Sequence, residues 1–179
     1  MDKKWKLINS KPVFESKYLQ VEDRTYELPD GKIGEHYYHV SRPDYVLILA
    51  INDKEQIVVE RQYRRGVDDF VYELPAGWID EGETPLQAAI RELKEETGFE
   101  GKGEIWQEIY PEPAFMSMKA FVVILEFEEK VSSQTEHGHD EHLKFELMEI
   151  PGVKKMVEEG KIKDMGFLAA MEIFDNYKV

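Results

Sequence analysis

The 179-residue chain contains no cysteine. That absence excludes a disulfide framework, a thiolate nucleophile and a cysteine zinc site. Long apolar runs are missing as well. The stretch YVLILAI, Tyr45 to Ile51, is the longest, far short of the roughly 20 residues that span a bilayer. Basic charge is scarce: 23 Lys and Arg stand against 37 Asp and Glu, a formal net charge of -14. Such a chain is ill suited to bind nucleic acid or an anionic membrane without specificity. A small anionic substrate stays open, because a divalent cation reverses the sign locally. The opening MDKKWKLINSKPVFES has basic residues with no apolar run behind them, so we expect no signal peptide and a cytoplasmic protein.

What is present fits a self-sufficient core, with 42% apolar residues. Lys6 to about Val40 reads as extended pieces joined by a turn at LPDGK. YVLILAI and QIVVERQYR read as strands around a tight turn at NDKE, and FVYELP as a shorter third. Thr84-Pro85-Leu86-Gln87 is a capping box with proline at N1, and Gly98 stops the helix it opens. EIWQEIY, KAFVVILEFEE and LKFELMEI return to strand composition, with a polar loop at 129–142. Helices are expected from Pro151 to Val157 and from Met165 to Tyr177. This order predicts an α+β fold: a mixed sheet flanked by helices, an α/β/α sandwich. We expect a small β-rich extension over residues 1–40 and the main domain over 41–179.

GWIDEGETPLQAAIRELKEETGF, Gly77 to Phe99, crowds carboxylates onto a helix that must also pack. At about 100° per residue with Glu92 at zero, Leu86, Ala89, Ile90 and Leu93 fall between about 60° and 160°, a core stripe. Glu96 falls near 40°, Glu95 near 300° and Arg91 near 260°, so three carboxylates share an arc beside that stripe. The like-charged i,i+4 pair Glu92 and Glu96 costs about 0.2–0.5 kcal/mol, and both oppose the helix dipole. Arg91 offsets part of this through its i,i+4 relation to Glu95. A solvated acidic face is the plain reading. The flanks favour another: Gly77 permits close backbone approach, and Leu74-Pro75-Ala76 leads a strand end into the turn. Its carbonyls and the carboxylates together are the oxygen-only ligands that Mg²⁺ or Mn²⁺ prefers.

These residues resemble the Nudix box in full: Gly77, five residues, Glu83, seven residues, then Arg91-Glu92-Leu93-Lys94-Glu95-Glu96-Thr97-Gly98-Phe99. ERQYRRG, YELPAG, the Tyr110-Pro111-Glu112-Pro113 stretch and DEHLKFELMEI are similar to the ADP-ribose pyrophosphatase branch of that superfamily. The resemblance implies a Nudix fold and Mg²⁺-dependent hydrolysis of a nucleoside diphosphate sugar, with Mn²⁺ a substitute. It implies metal ligation by the Ala76 carbonyl, Glu92 and Glu96, with Glu95 assisting or holding a further ion. Arg91 would orient these carboxylates, Arg64 would meet the diphosphate and Glu73 would lie near the distal sugar. Arg65 is a further phosphate candidate. The catalytic base would come from the late loop, Glu141 matching best and Glu136 or Asp140 replacing it. Two departures stand out: Glu112-Pro113-Ala114 replaces Ser-Pro-Gly, and Met118 stands where the branch tends to carry glutamate. Pro113 and Met118 touch substrate choice, which opens ADP-ribose to competition from GDP-mannose or another hexose.

Other residues are weighed more plainly. His137, His139 and His142 lack a structural-zinc spacing. His36 and His39 would point to opposite faces of a strand. Phe115, Met116 and Met118 are core filler or a pocket lining. The resemblance further implies a homodimer with N-terminal regions packed across the two-fold, where Arg24, Tyr26 or Tyr37 would face the base. Neither nucleic acid nor membrane is expected as a partner. A nucleoside polyphosphate hydrolase and a non-catalytic nucleotide sensor are the competing readings.

Overall fold

The structure is a computed structural model and describes residues 3–128 and 144–177. The chain divides into two units, Met1–Asp44 with Tyr110–Lys119, and Tyr45–Ile109 with Ala120–Val179.

The first unit is an antiparallel sheet of β1 (Lys6–Glu15), β2 (Gln20–Glu27) and β3 (Ile33–Ser41), in that order. Two turns join them rather than the one expected. The first is closed by Ser16 N–H donating to the Leu19 carbonyl at 2.9 Å. At the second, LPDGK, Gly31 takes a φ of 84°, which a side chain would resist. A bulge in β3 puts His36 in the left-handed region at φ 64°. Its Nδ1 lies 2.9 Å from Asp23 Oδ2, which raises the His36 pKa. The 110–119 segment joins this unit through a parallel bridge between Met116 and Val40.

The second unit is a sheet between helical layers. β4 (Tyr45–Asn52), β5 (Gln56–Arg64), β8 (Gly101–Ile109), β9 (Ala120–Phe127) and β10 (Lys144–Glu149) run in the order β10-β5-β4-β9-β8. β6 (Asp69–Glu73) pairs with β5, and β7 (Ala76–Trp78) with β4. β4 and β9 are parallel, and the other pairs antiparallel.

Alternation along the strands builds two cores. Val46, Ile48, Ala50, Val58, Val123 and Leu125 face α1 (Pro85–Thr97), where they pack on Ala88, Ala89 and Leu93. Leu47, Leu49, Ile57, Val59 and Val122 face α2 (Ile150–Glu158) and α3 (Met165–Tyr177), meeting Val153, Phe167, Ala170 and Phe174. This is the expected α/β/α sandwich. β7 was not foreseen as a strand. Pro75 hides it in the sequence, yet the Pro75 carbonyl accepts from Ile48 N–H at 2.9 Å and locks the segment onto β4. Among the described residues no helix is long and apolar enough to cross a membrane.

Candidate active site

α1 begins as its sequence dictates. Thr84 Oγ1 accepts from Gln87 N–H at 3.3 Å, Gln87 Oε1 accepts from Thr84 N–H at 2.9 Å, and Pro85 fills the first turn. Gly98, at φ 77°, closes the helix by donating to the Lys94 carbonyl. Gln87 and Lys94 face water, and Ala89 and Leu93 are buried as the periodicity requires. Ala88 is buried too. It lies one turn before Glu92, between the Glu92 and Glu95 directions, so this side of the helix packs on protein while Glu95 itself stays 44% exposed. The acidic arc is therefore partly buried rather than fully solvated.

β7 runs beside the start of β4, with Val46 opposite Gly77 and Leu47 opposite Ala76. The Glu92 carboxylate lies directly on Gly77: a Cβ there would fall on its Cδ, Oε1 and Oε2. Only glycine leaves that space. The carboxylate thereby stands against the backbone that carries the Ala76 carbonyl.

Arg91 gathers the surrounding acids. Its Nε and Nη2 donate to Glu83 at 3.0 and 2.9 Å, a bidentate fork. Nη1 donates to Glu92 Oε1 at 2.6 Å and to Glu95 Oε2 at 3.2 Å, and Nη2 also to the Trp78 carbonyl at 2.9 Å. The guanidinium is saturated, since five N–H donors are all it has. Glu83 was a fixed position of the box without an assigned task. Its task is to hold Arg91, and the sequence signal was the Asp80–Glu83 turn, where Glu83 N–H donates to the Asp80 carbonyl.

Glu83 and Glu92, both on this guanidinium, shift in opposite directions. The fork of hydrogen bonds from Arg91 holds Glu83 below the usual carboxylate range. Glu92 is pushed up, because its burial against the turn outweighs its bond to Arg91. Glu96 lies one turn further along α1, with its Oε2 buried.

Arg64 and Glu73, both expected to touch substrate, meet each other. Arg64 Nε donates to Glu73 Oε1 and Oε2 at 3.0 and 2.7 Å, and Nη2 lies 2.6 Å from Oε2. Arg65 is exposed in the turn between β5 and β6. A buried carboxyl that the sequence reading passed over, Glu60, is 3% exposed and stands opposite Glu73 in the ladder. Its position two residues after the buried Val58 was the signal. Pro113 and Met118 belong to the first unit, and Glu136, Asp140 and Glu141 lie outside the described residues. Among the described residues no group of three or more His, Asp or Glu side chains is gathered as a metal site. A cavity of about 750 Å³, lined by Asn52, Lys102, Trp106 and Tyr177 among others, lies at the far end of β4 from Gly77 and contains none of the box glutamates.

Comparison with known proteins identifies the family. The family model for the NUDIX domain matches residues 41–165, more than half of the chain. The chain is similar to an ADP-ribose pyrophosphatase of Bacillus subtilis, 29% identical over 160 residues, covering 89% of this chain and 86% of that one. It is also similar to the ADP compounds hydrolase NudE of Escherichia coli, 31% identical over 123 residues, covering 66% and 64%. Against a methanol dehydrogenase activator of Bacillus methanolicus it is 34% identical but spans only about half of that protein's length, 54%. A crystal structure of an ADP compounds hydrolase shares the fold with a TM-score of 0.85 at 23% identity, covering 98% of this chain and 94% of that one. With its complete box folded onto the Gly77 turn, the chain belongs to the Nudix family of hydrolases.

Proposed function

We propose that the protein hydrolyses the diphosphate bond of a nucleoside diphosphate sugar, ADP-ribose first among them, to a nucleoside monophosphate and a sugar phosphate. The observation that carries this reading is the Glu92 carboxylate seated on Gly77 beside an acidic arc that Arg91 holds together. The Bacillus subtilis relative named an ADP-ribose pyrophosphatase supports the choice of substrate.

The donor set suits Mg²⁺, with Mn²⁺ as substitute: hard oxygens from Glu92, Glu95, Glu96 and the Ala76 carbonyl, with the Glu92 carboxylate seated in the space that Gly77 leaves. When bound, the ion supplies charge neutralisation of the diphosphate oxygens. Arg91 keeps Glu92 and Glu95 oriented, and Arg64 presents a planar fork to phosphate oxygens. Glu141, with Glu136 and Asp140 as replacements, accepts the proton of the attacking water as its oxygen bonds to phosphorus and the anhydride P–O bond breaks.

A homodimer belongs to this reading. In the three-stranded sheet Leu7, Ile8, Val13, Phe14 and Tyr38 are exposed on a single chain, and a second copy is the expected cover. Tyr26, Tyr37 and Trp5 form an edge-to-face trio at 5.3–6.0 Å with Arg24 beside Tyr26, a surface suited to a base. GDP-mannose or another hexose conjugate is the second substrate reading, since Pro113 and Met118 depart from the branch pattern.

The deciding experiment is a product-resolved panel of ADP-ribose, GDP-mannose, UDP-glucose, NADH and diadenosine polyphosphates with Mg²⁺ and Mn²⁺. Nucleoside monophosphate and sugar phosphate released from ADP-ribose is the expected result. Turnover confined to polyphosphates, or no turnover at all, would end the proposal.

A further inference from the structure

We propose that Glu73 is a positioning residue: it draws the Arg64 guanidinium back along the β5–β6 hairpin and sets its phosphate-facing edge. The inference rests on the hydrolase reading above, and it replaces the expectation that Glu73 contacts the distal sugar.

The ladder shows why this arrangement is informative. Arg64 stands directly opposite Asp69, so the nearest carboxylate for its side chain is at the hairpin tip. Glu73 stands opposite Glu60, four positions back, about 14 Å along the strand at 3.4 Å per residue. The guanidinium nevertheless forks onto Glu73, not Asp69. To reach it, Arg64 lies extended over the hairpin towards the strand end that continues through Leu74 and Pro75 into Ala76 and Gly77.

Electrostatics explains the choice. Opposite residues of an antiparallel pair share a face, so Glu60 and Glu73 bring two carboxyl groups together. The Glu73 side chain is 14% exposed and Glu60 3%, while the Arg64 side chain stays 49% exposed, so the shelter is on the carboxyl side of the pair. Asp69 is exposed, and its Oδ1 already accepts from Phe70 N–H at 2.7 Å. The distant, sheltered pair of carboxyls outcompetes the near, solvated one. Glu73 grips the side of the guanidinium through Nε and Nη2, so the end edge of Nη1 and Nη2 is turned away from it. That edge is the one that matches two oxygens of a diphosphate.

The test is Glu73→Gln, which keeps size and removes the charge, so that Asp69 captures Arg64. For ADP-ribose, or whichever panel member is turned over, we expect KM to rise about tenfold with kcat changed less than about threefold. Adding Asp69→Asn to that variant should recover most of the loss, because the competing carboxylate is gone. Separately from turnover, the Arg64 Nε–H resonance should exchange slowly with water in the wild type and much faster in Glu73→Gln. A rise in KM that Asp69→Asn does not rescue would make Glu73 a substrate contact and overturn the inference. Unchanged Nε–H exchange would overturn it as well. Failure of the wild type on every nucleoside diphosphate sugar would instead remove the hydrolase reading, while the exchange measurement still decides whether Glu73 sets Arg64.

Discussion

At the scale of single residues, Gly77 and Glu92 compete for one space. In Gly77→Ala the added methyl group would displace the Glu92 carboxylate from the turn. Overpacking of this kind costs about 1–3 kcal/mol, and misplacing a site group by about 1 Å costs about a hundredfold in rate. Urea unfolding and kcat/KM with Mg²⁺ measure the two effects, and wild-type values in both would refute the geometry. Glu96→Gln takes one charge from the arc without changing size. It should remove most turnover, leave the oligomeric state intact and weaken Mn²⁺ binding measured by calorimetry. His36 gives a pH test in the first unit. Its hydrogen bond to Asp23 raises its pKa above the ordinary 6.5, so the stabilisation it lends is full below that value and fades as pH rises through the folded pKa. In Asp23→Asn the NMR titration of His36 should fall back towards about 6.5.

At the scale of elements, α1 carries the proposed site and its termini set its register. Thr84→Ala removes the capping box and should cost about 1 kcal/mol. The measurement is denaturant midpoint alongside kcat/KM; because the acidic residues lie in later turns, stability should fall more than activity. An equal or larger fall in activity would mean that the first turn frays into the site. The cap, the proline and Gly98 were all legible, being local chemistry. Burial of Ala88 was not, because a helix wheel fixes directions but not how far the neighbouring sheet extends around the helix. β7 escaped for a related reason: three residues after a proline have no pattern of their own, and β4 makes them a strand.

At the scale of the molecule, the three-stranded sheet leaves apolar side chains uncovered on one chain. Val13 and Phe14, both more than half exposed, are the probes of choice. Val13→Glu with Phe14→Glu should weaken dimerisation at least tenfold by light scattering across a dilution series, since burying unpaired carboxylates opposes association. A wild-type monomer at all concentrations would remove the dimer from the proposed function.

The amino-acid sequence by itself determined the strand alternation that makes two cores, the limits of α1 and the complete acidic box, because each depends on neighbours a few residues away. Only the tertiary structure decided that Glu83 holds Arg91, that Glu92 rests on Gly77 and that Arg64 passes over Asp69 to reach Glu73. Those pairings join separate elements, and their strength comes from shelter against water, which packing creates and residue order does not display.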